Sequence, residues 1–184
     1  MTIPITYVKN FVPDADTCFN RLSKELTWVH RDTTPRHEYY VNDFGVPYTY
    51  GSGDFARTYE AQPAHDIISL IRSKLENETK EKFEVCFLNR YLNQSDHLGW
   101  HSDNSPEMDD NRPIAIISFG VEREIWFRSM EEPKVVSKMK LENGSLCLMR
   151  PGMQDTHQHR IPKASFMCGE RISLTFRGYV KDLK

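Results

Sequence analysis

Apolar side chains recur at three- and four-residue spacing in two stretches of the N-terminal half, which predicts two amphipathic helices. The first stretch begins after Asp14, a residue type that favours the N-cap position. Its apolar positions are Ala15, Cys18, Phe19, Leu22, Leu26 and Val29. Those of the second stretch are Ala64, Ile67, Ile68, Ile71 and Leu75. We expect each helix to pack its apolar face on the body of the protein.

The pattern changes from Phe83 onward to short runs that are typical of β-strands separated by turn residues. These runs are FEVCFLNRYL, PIAIISFG, EIWFR, KVVSKMKL, SLCLMR and RISLTFRGYV. Several short strands without long intervening helices predict an antiparallel sandwich or jelly roll. Between the two helices, residues 33–63 are rich in Tyr, Gly and Pro, which predicts short strands, turns and surface loops. The tyrosines of this segment are expected to lie near the surface.

The length of 184 residues fits one domain with its own hydrophobic core. The chain has 24 Lys and Arg against 26 Asp and Glu, so its net charge of −2 gives no support for nucleic-acid binding through bulk charge. The four cysteines form no CxxC motif, and neither a signal peptide nor a membrane-spanning apolar run is visible. We therefore expect a cytoplasmic or nuclear protein with reduced thiols. The lack of heptads favours a monomer.

Candidate metal ligands occur in two polar segments. GWHSDNSP places His101 and Asp103 two positions apart, an arrangement that alone is more often a solvated turn than a metal site. QDTHQHRIPK adds His157 and His159 after the run SLCLMR, and in a jelly roll these segments can meet across the barrel mouth. Two imidazoles and one carboxylate leave positions open on an octahedral ion, as in non-haem Fe(II) oxygenases. Zinc, for hydrolysis, is the alternative metal.

Polar residues also alternate along two predicted strands, so each set shares one strand face. The set in RISLTFR consists of Arg171, Ser173, Thr175 and Arg177, and the set in LNRY consists of Asn89 and Tyr91. Two guanidiniums inside a small barrel require anions, and 2-oxoglutarate offers two carboxylates for bidentate pairing. The amide and the phenol could bind the same ligand. Internal ion pairs and structural hydrogen bonds are the alternative interpretation of these residues.

The ordered segments NRY, HSD, PIAIISFG, HRIPK and RISLTFR together resemble the AlkB family of Fe(II)- and 2-oxoglutarate-dependent dioxygenases, especially its branch that repairs alkylated DNA. The resemblance covers nearly the whole chain. It implies one catalytic domain over residues 1–184, with helices and a substrate lid in 1–82 and a jelly-roll core in 83–184. This is a mainly β, α+β fold. A Tyr-rich nucleotide-recognition lid is implied with it.

The resemblance also implies roles for individual residues. The implied Fe(II) ligands are His101, Asp103 and His159, whereas His157 is a packing residue or supports the ligands. The implied 2-oxoglutarate ligands are Asn89, Tyr91, Arg171 and Arg177, with Ser173 and Thr175 lining the same strand. On the substrate side, Tyr50 resembles the aromatic residue that stacks on a flipped base, and Tyr48 its hydrogen-bonding neighbour. Stacking on an aromatic ring suits any base.

The implied reaction is direct-reversal repair of N-alkylated bases such as 1-methyladenine and 3-methylcytosine in DNA. It uses O2 and 2-oxoglutarate and releases succinate, CO2 and formaldehyde. Ser105 replaces the acidic residue that relatives place two after the metal aspartate, and by its position it is implied to bind the substrate together with Tyr48 and Tyr50. Glu107 lies two further on. The segment WVHRDTTP leaves no room for the longer hairpin on which duplex-specialised relatives carry an apolar wedge, which favours single-stranded substrates. RNA, nucleotides or a protein side chain as substrate, and a non-catalytic jelly-roll binding module, remain the alternatives.

Overall fold

A computed structural model describes residues 3–51 and 53–180 of the chain. Three helices are present in these residues: α1 (Ala15–Glu25), α2 (Asp66–Thr79) and the short α3 (Met153–Thr156). The strands before α2 are β1 (Ile5–Val8), β2 (Val29–His30), β3 (His37–Asn42), β4 (Tyr48–Tyr50) and β5 (Arg57–Tyr59). The strands after α2 are β6 (Val85–Tyr91), β7 (Leu98–His101), β8 (Ile114–Gly120), β9 (Arg123–Ser129), β10 (Val135–Leu141), β11 (Ser145–Met149), β12 (His157–Ile161) and β13 (Arg171–Arg177).

The strands form two antiparallel sheets and a small hairpin. The major sheet has the order β1-β11-β8-β13-β6-β3-β2, and the minor sheet has the order β10-β9-β12-β7. Strands β4 and β5 pair only with each other. The predicted mainly β jelly roll is confirmed by this arrangement. Strands from both sides of residue 82 contribute to the major sheet.

Alternation along the major-sheet strands decides which side chains reach the site. In β13, Ile172, Leu174 and Phe176 point to one face, where they join a core with residues of α1 and α2. The residues that alternate with them, at positions 171, 173, 175 and 177, line a cavity between the two sheets. This division follows from the two-residue period of a strand. The helices therefore support the back of the same strand that presents two arginines to the cavity.

Both predicted helices are present, but their ends differ from the prediction. Helix α1 ends at Glu25, and Val29 lies in β2 with 41% of its surface exposed. Asp14 occupies the N-cap position of α1 without a side-chain capping bond. Ala64 is exposed and precedes α2, whose cap is His65, because His65 Nδ1 accepts a hydrogen bond from Ile67 N at 3.2 Å.

The prediction that the tyrosines of residues 33–63 lie near the surface was wrong for four of them. Tyr39, Tyr40, Tyr48 and Tyr59 are each at most 7% exposed, whereas Tyr50 is 46% exposed. Three of the buried rings pack around Phe87 of the major sheet, at centroid distances of 4.9 to 6.5 Å. The β4–β5 hairpin is thus an anchored lid, because its aromatic side chains fill the space that a solvated loop would leave open.

No helix among residues 3–51 and 53–180 is long and apolar enough to cross a membrane. All four cysteines are free, and Cys86 and Cys147 are fully buried.

Candidate active site

The two histidines at the centre of the site lie on neighbouring strands of the minor sheet. His159 of β12 is the register partner of His101 at the end of β7, and their ring centroids are 4.2 Å apart. Asp103 follows β7, with its carboxylate oxygens 3.6 Å from His101 Nε2 and 3.5 Å from His159 Nε2. One ligand atom from each residue lies within 4.8 Å of the others. Two imidazoles and one carboxylate at this spacing suit an Fe(II) ion.

Polar contacts fix the orientation of this cluster. His101 Nδ1 lies 2.9 Å from the Gly99 carbonyl oxygen, which favours a proton on Nδ1 and leaves Nε2 free to bind a metal. Gln154 Oε1 accepts a hydrogen bond from Asp103 N at 2.9 Å. Arg177 donates from Nη2 to the Asp103 carbonyl oxygen, and its Nη1 is 3.9 Å from Asp103 Oδ1. The backbone of Asp103 is therefore held at both its N–H and its carbonyl oxygen, which fixes the position from which the carboxylate extends.

The protonation states of the cluster also suit a metal. Burial, together with the charge of His101, lowers the pKa of His159 to about 3. Burial raises the pKa of Asp103, but the charges of Arg177, His101 and His159 outweigh that effect and hold the pKa below 3.8. At neutral pH the site thus presents a neutral imidazole at His159 and a carboxylate at Asp103, the forms in which these side chains bind metals.

His157 is separate from the cluster, as predicted. Its Nδ1 is 2.8 Å from the Thr156 hydroxyl, and its carbonyl oxygen accepts a hydrogen bond from Ser102. Within the described residues, the group able to hold a metal consists of His101, Asp103 and His159.

A buried, partly unpaired guanidinium lies at another part of the cavity. Arg171 is 1% exposed and donates to the Ser118 hydroxyl at 2.9 Å, but its Nε and Nη1 have no hydrogen-bond partner among the described residues. It lies 5.2 Å from the ring centre of Tyr91, its register partner on β6, whose hydroxyl is also without a partner there. Buried polar groups normally find partners. These atoms therefore suit a bound anion such as a carboxylate.

Arg36 and Glu38 complete this wall of the cavity, and the sequence analysis missed both. Arg36 Nε donates to Asn89 Oδ1 at 2.7 Å, and Arg36 Nη2 donates to Glu38 Oε1 at 2.9 Å. Because the Asn89 oxygen is engaged, its amide NH2 is left to meet an anion. Residues 36 and 38 are two apart beside a strand, so alternation could have identified them if residues 37–42 had been recognised as a strand.

The lid residues occupy different positions relative to the cavity. Tyr48 and Tyr50 line it, whereas Ser105 does not and instead shares a hydrogen bond with the Tyr48 hydroxyl. Burial raises the pKa of Tyr48, so its hydroxyl stays protonated at neutral pH. Glu107 is partly buried and also lies outside the cavity lining. Ser105 thus reaches the cavity only through Tyr48.

One cavity of about 330 Å³ joins these groups. Its wall includes the candidate metal-binding cluster of His101, Asp103 and His159, both arginines of β13 and the tyrosines of the β4–β5 hairpin. All of the following predicted site residues line it: Tyr48, Tyr50, Asn89, Tyr91, His101, Asp103, His159, Arg171, Ser173, Thr175 and Arg177. This volume falls within the usual range for small-molecule sites, which is about 300 to 1,000 Å³.

Comparison with known proteins agrees with this geometry. The sequence profile of the 2OG-Fe(II) oxygenase superfamily matches residues 5–177. Alpha-ketoglutarate-dependent dioxygenase alkB homolog 3 of Bos taurus is 30% identical over 184 residues, which cover 92% of this chain and 63% of that protein. DNA oxidative demethylase ALKBH2 of Homo sapiens is 28% identical, with 89% of this chain and 68% of that protein covered.

The fold has a counterpart among solved structures. The structure of OsALKBH1 superposes with a TM-score of 0.67 over 97% of this chain and 98% of that chain, at 16% sequence identity. At this identity the likeness concerns the fold alone. The chain spans slightly less than two thirds of the bovine relative. On the profile match, the chain belongs to the 2OG-Fe(II) oxygenase superfamily, and the curated relatives that it resembles include alkB homolog 3 and ALKBH2.

Proposed function

We propose that this protein is an Fe(II)- and 2-oxoglutarate-dependent dioxygenase that removes methyl groups from ring nitrogens of nucleobases in DNA. The observation that carries the proposal is the shared cavity: a metal-binding cluster, a buried guanidinium with unpaired donors and an aromatic lid all face it. A buried guanidinium with unpaired donors beside the metal-binding cluster suits an oxygenase that consumes a dicarboxylate, because it can bind a carboxylate of 2-oxoglutarate.

His101, Asp103 and His159 would hold the iron, and their donor set fits Fe(II). When bound there, Fe(II) with O2 and 2-oxoglutarate supplies the oxidation of the methyl C–H bond. The overall reaction balances as N–CH3 plus O2 plus 2-oxoglutarate giving N–H, formaldehyde, succinate and CO2. The protein's own contribution is to orient the reactants and to keep water away from them.

The cosubstrate would lie along β13. One carboxylate pairs with Arg171 and the Tyr91 hydroxyl, whose free polar atoms need a partner. Asn89 donates from the amide that Arg36 orients. Arg177 lies beside Asp103, so it is placed to attract the negative charge at the metal end of the cosubstrate. Ser173 and Thr175 line the cavity between the two arginines.

The base would enter under the lid formed by Tyr48 and Tyr50. Tyr50 is half exposed and available for stacking, while the Tyr48 ring is held by Tyr40, Tyr59 and Phe87. The names of the relatives, DNA oxidative demethylase and alkB homolog, support a nucleic-acid substrate. Methylated, cationic bases such as 1-methyladenine and 3-methylcytosine would gain about 0.5–2 kcal/mol from the face of an aromatic ring.

We further propose a preference for single strands. The turn between β2 and β3 covers residues 31–36, RDTTPR, and it carries no large apolar side chain that could replace a flipped base in the stack. Opening intact duplex would then require a few kcal/mol from another source.

The decisive experiment incubates the protein with Fe(II), 2-oxoglutarate, ascorbate and a single-stranded oligonucleotide containing one 1-methyladenine, followed by mass spectrometry of the DNA. We expect the methylated oligonucleotide to lose the mass of one CH2 group, and we expect His101→Ala to abolish that loss. The same assay with duplex DNA and with RNA of the same sequence ranks the three substrates by their extent of demethylation. Succinate formed without any change in the DNA would indicate that the substrate is RNA, a nucleotide or a protein. No succinate at all would indicate a non-catalytic binding module.

A further inference from the structure

A second carboxylate faces the cavity besides the one in the metal-binding cluster. Among the described residues that line the cavity, only Glu38 and Asp103 are acidic. Glu38 lies on β3, is 1% exposed, and is the register partner of Asn89 on β6. Its position is therefore fixed by the major sheet and not by a surface loop.

The partners of Glu38 account for only one of its two oxygens. Oε1 accepts from Arg36 Nη2 at 2.9 Å and from the Tyr59 hydroxyl at 3.4 Å. Oε2 is buried and has no hydrogen-bond partner in the described part of the chain. A buried carboxylate oxygen without a donor is unfavourable, because it has lost its hydration without gaining a hydrogen bond. A ligand that brings an N–H group, and preferably a positive charge, would remove this penalty.

Two nearly parallel tyrosine rings lie on the side of the cavity where Glu38 is found. Tyr59, which donates to Glu38, is nearly parallel to Tyr48 on the neighbouring strand, at 21° and 6.2 Å between centroids. The lid hairpin and Glu38 thus meet at one side of the cavity. A planar ring that enters beside the lid tyrosines can present its edge to a carboxylate on the cavity wall.

The two positions that follow the metal aspartate in the relatives' pattern supply no second carboxylate to the cavity. Ser105 stands where a relative's acidic residue is expected, and its hydroxyl is bonded to Tyr48. Glu107 lies outside the cavity lining, although it follows the metal aspartate closely in sequence.

We propose that Glu38 is a specificity-determining residue that accepts a hydrogen bond from the exocyclic amino group of a cationic methylated base. The proposal rests on the proposed function and names the class of base that the site selects. 1-Methyladenine and 3-methylcytosine carry both an amino group and a positive charge. 3-Methylthymine is methylated on the ring but is neutral and has no amino group, so it cannot donate to Glu38.

The test measures equilibrium binding rather than turnover. Fluorescence anisotropy is recorded with labelled single-stranded oligonucleotides that contain 1-methyladenine or 3-methylthymine, in the presence of Mn(II) and 2-oxoglutarate and in the absence of O2. We expect the unmodified protein to bind the 1-methyladenine oligonucleotide more tightly. Glu38→Gln, which keeps the shape and can still accept from Arg36, should reduce that preference about tenfold, or by about 1.4 kcal/mol.

Glu107→Gln is the matched control, because it removes a carboxylate outside the cavity, and it should leave the preference unchanged. Equal binding of both oligonucleotides by the unmodified protein would overturn the proposal, even if Glu38→Gln failed to fold. An unchanged preference in a folded Glu38→Gln, or a loss of preference in Glu107→Gln, would also overturn it. Demethylation by the unmodified protein, measured in parallel, tests the proposed function separately from the role of Glu38.

Discussion

At the scale of a single side chain, Arg36 connects two other residues of the cavity wall, Asn89 and Glu38. It donates to Asn89 from Nε and to Glu38 from Nη2, and it is only 10% exposed at the side chain. The fork geometry of a guanidinium allows one residue to hold both partners at once. In the proposed function Arg36 is thus a positioning residue, because it orients the Asn89 amide that we propose binds the cosubstrate.

Replacing Arg36 with Met should raise the KM for 2-oxoglutarate about tenfold, because the Asn89 amide loses a charge-assisted hydrogen bond of about 1.5–3 kcal/mol that fixes its orientation. The kcat should change less than the KM, since the metal-binding cluster is untouched. Steady-state succinate formation at varied 2-oxoglutarate measures both constants. Arg128→Met is a suitable control, as Arg128 bonds Gln158 in the minor sheet. An unchanged KM would contradict the positioning role.

Sequence reasoning succeeded for residues whose strand was recognisable. RISLTFR alternates clearly, so the shared face of Arg171, Ser173, Thr175 and Arg177 follows from the period of a strand, and all four line the cavity. Arg36 and Glu38 were missed because HEYYVN is apolar or bulky at neighbouring positions and was interpreted as part of a loop-rich segment. Their charges could not be assigned to a face without that strand.

The loop between β7 and β8 is fastened to the major sheet by a carboxylate at the start of β6. Glu84 accepts hydrogen bonds from Arg112 Nη1 at 3.0 Å and from Tyr179 N at 2.9 Å. Arg112 also donates to Asp109 and to the Tyr179 carbonyl oxygen. Asp103 lies in this loop, so the anchor restrains an element that carries part of the metal-binding cluster.

Glu84→Gln should therefore lower stability by about 1–3 kcal/mol at neutral pH. Burial raises the pKa of Glu84, but the hydrogen bonds from Arg112 and Tyr179 lower it more, so the pKa lies below 4.5. A carboxyl whose pKa is lowered by folding stabilises the fold above its ordinary pKa and loses that effect as the pH falls.

Urea denaturation over a pH series tests this expectation. The difference in unfolding free energy between the unmodified protein and Glu84→Gln should be full above pH 4.5 and shrink below it. A difference that stayed constant down to acidic pH would show that the charge of Glu84 has no stabilising role.

At the same scale, the six strands predicted from Phe83 onward are all present, whereas β1, β2, β7 and β12 were not predicted as strands. β1 is a four-residue edge strand, and β7 contains a glycine and is also four residues long. Such short strands are defined by their partners in the sheet rather than by their own pattern. Helix α1 ended earlier than its apolar spacing indicated, because Val29 pairs with Glu38 of β3.

For the whole molecule, the number and spacing of short strands predicted the jelly roll, but the order of the strands could not be predicted. β13, the last strand, lies between β6 and β8 at the centre of the major sheet. Such pairings join residues far apart in sequence, and alternation within each strand carries no information about them. The resemblance to the AlkB family was needed to assign the residues to one site.

Ligands that bridge these strands should stabilise the whole fold. Mn(II) with 2-oxoglutarate at about 100 times its dissociation constant should add about 2.7 kcal/mol to the folded state. For a chain of this size that corresponds to a rise in Tm of roughly 5–10 °C. Differential scanning fluorimetry measures the rise. Arg171→Gln should keep the part due to the metal and lose the part due to 2-oxoglutarate, whereas His101→Ala should lose both.

If 2-oxoglutarate raised the Tm of Arg171→Gln as much as that of the unmodified protein, Arg171 would not be the anchor of the cosubstrate.

The pairing of β7 with β12 links the metal-binding cluster to the stability of an edge strand. β7 is an edge strand, and its register with β12 consists of His159 with His101 and Ile161 with Leu98, with a bulge between these pairs. Proteins open locally where few bonds hold a segment. An ion bound to both His101 and His159 would connect β7 to β12 in addition to their backbone pairing. Loading with metal therefore also sets how often the strand frays, and amide hydrogen exchange at β7 becomes a direct report of occupancy.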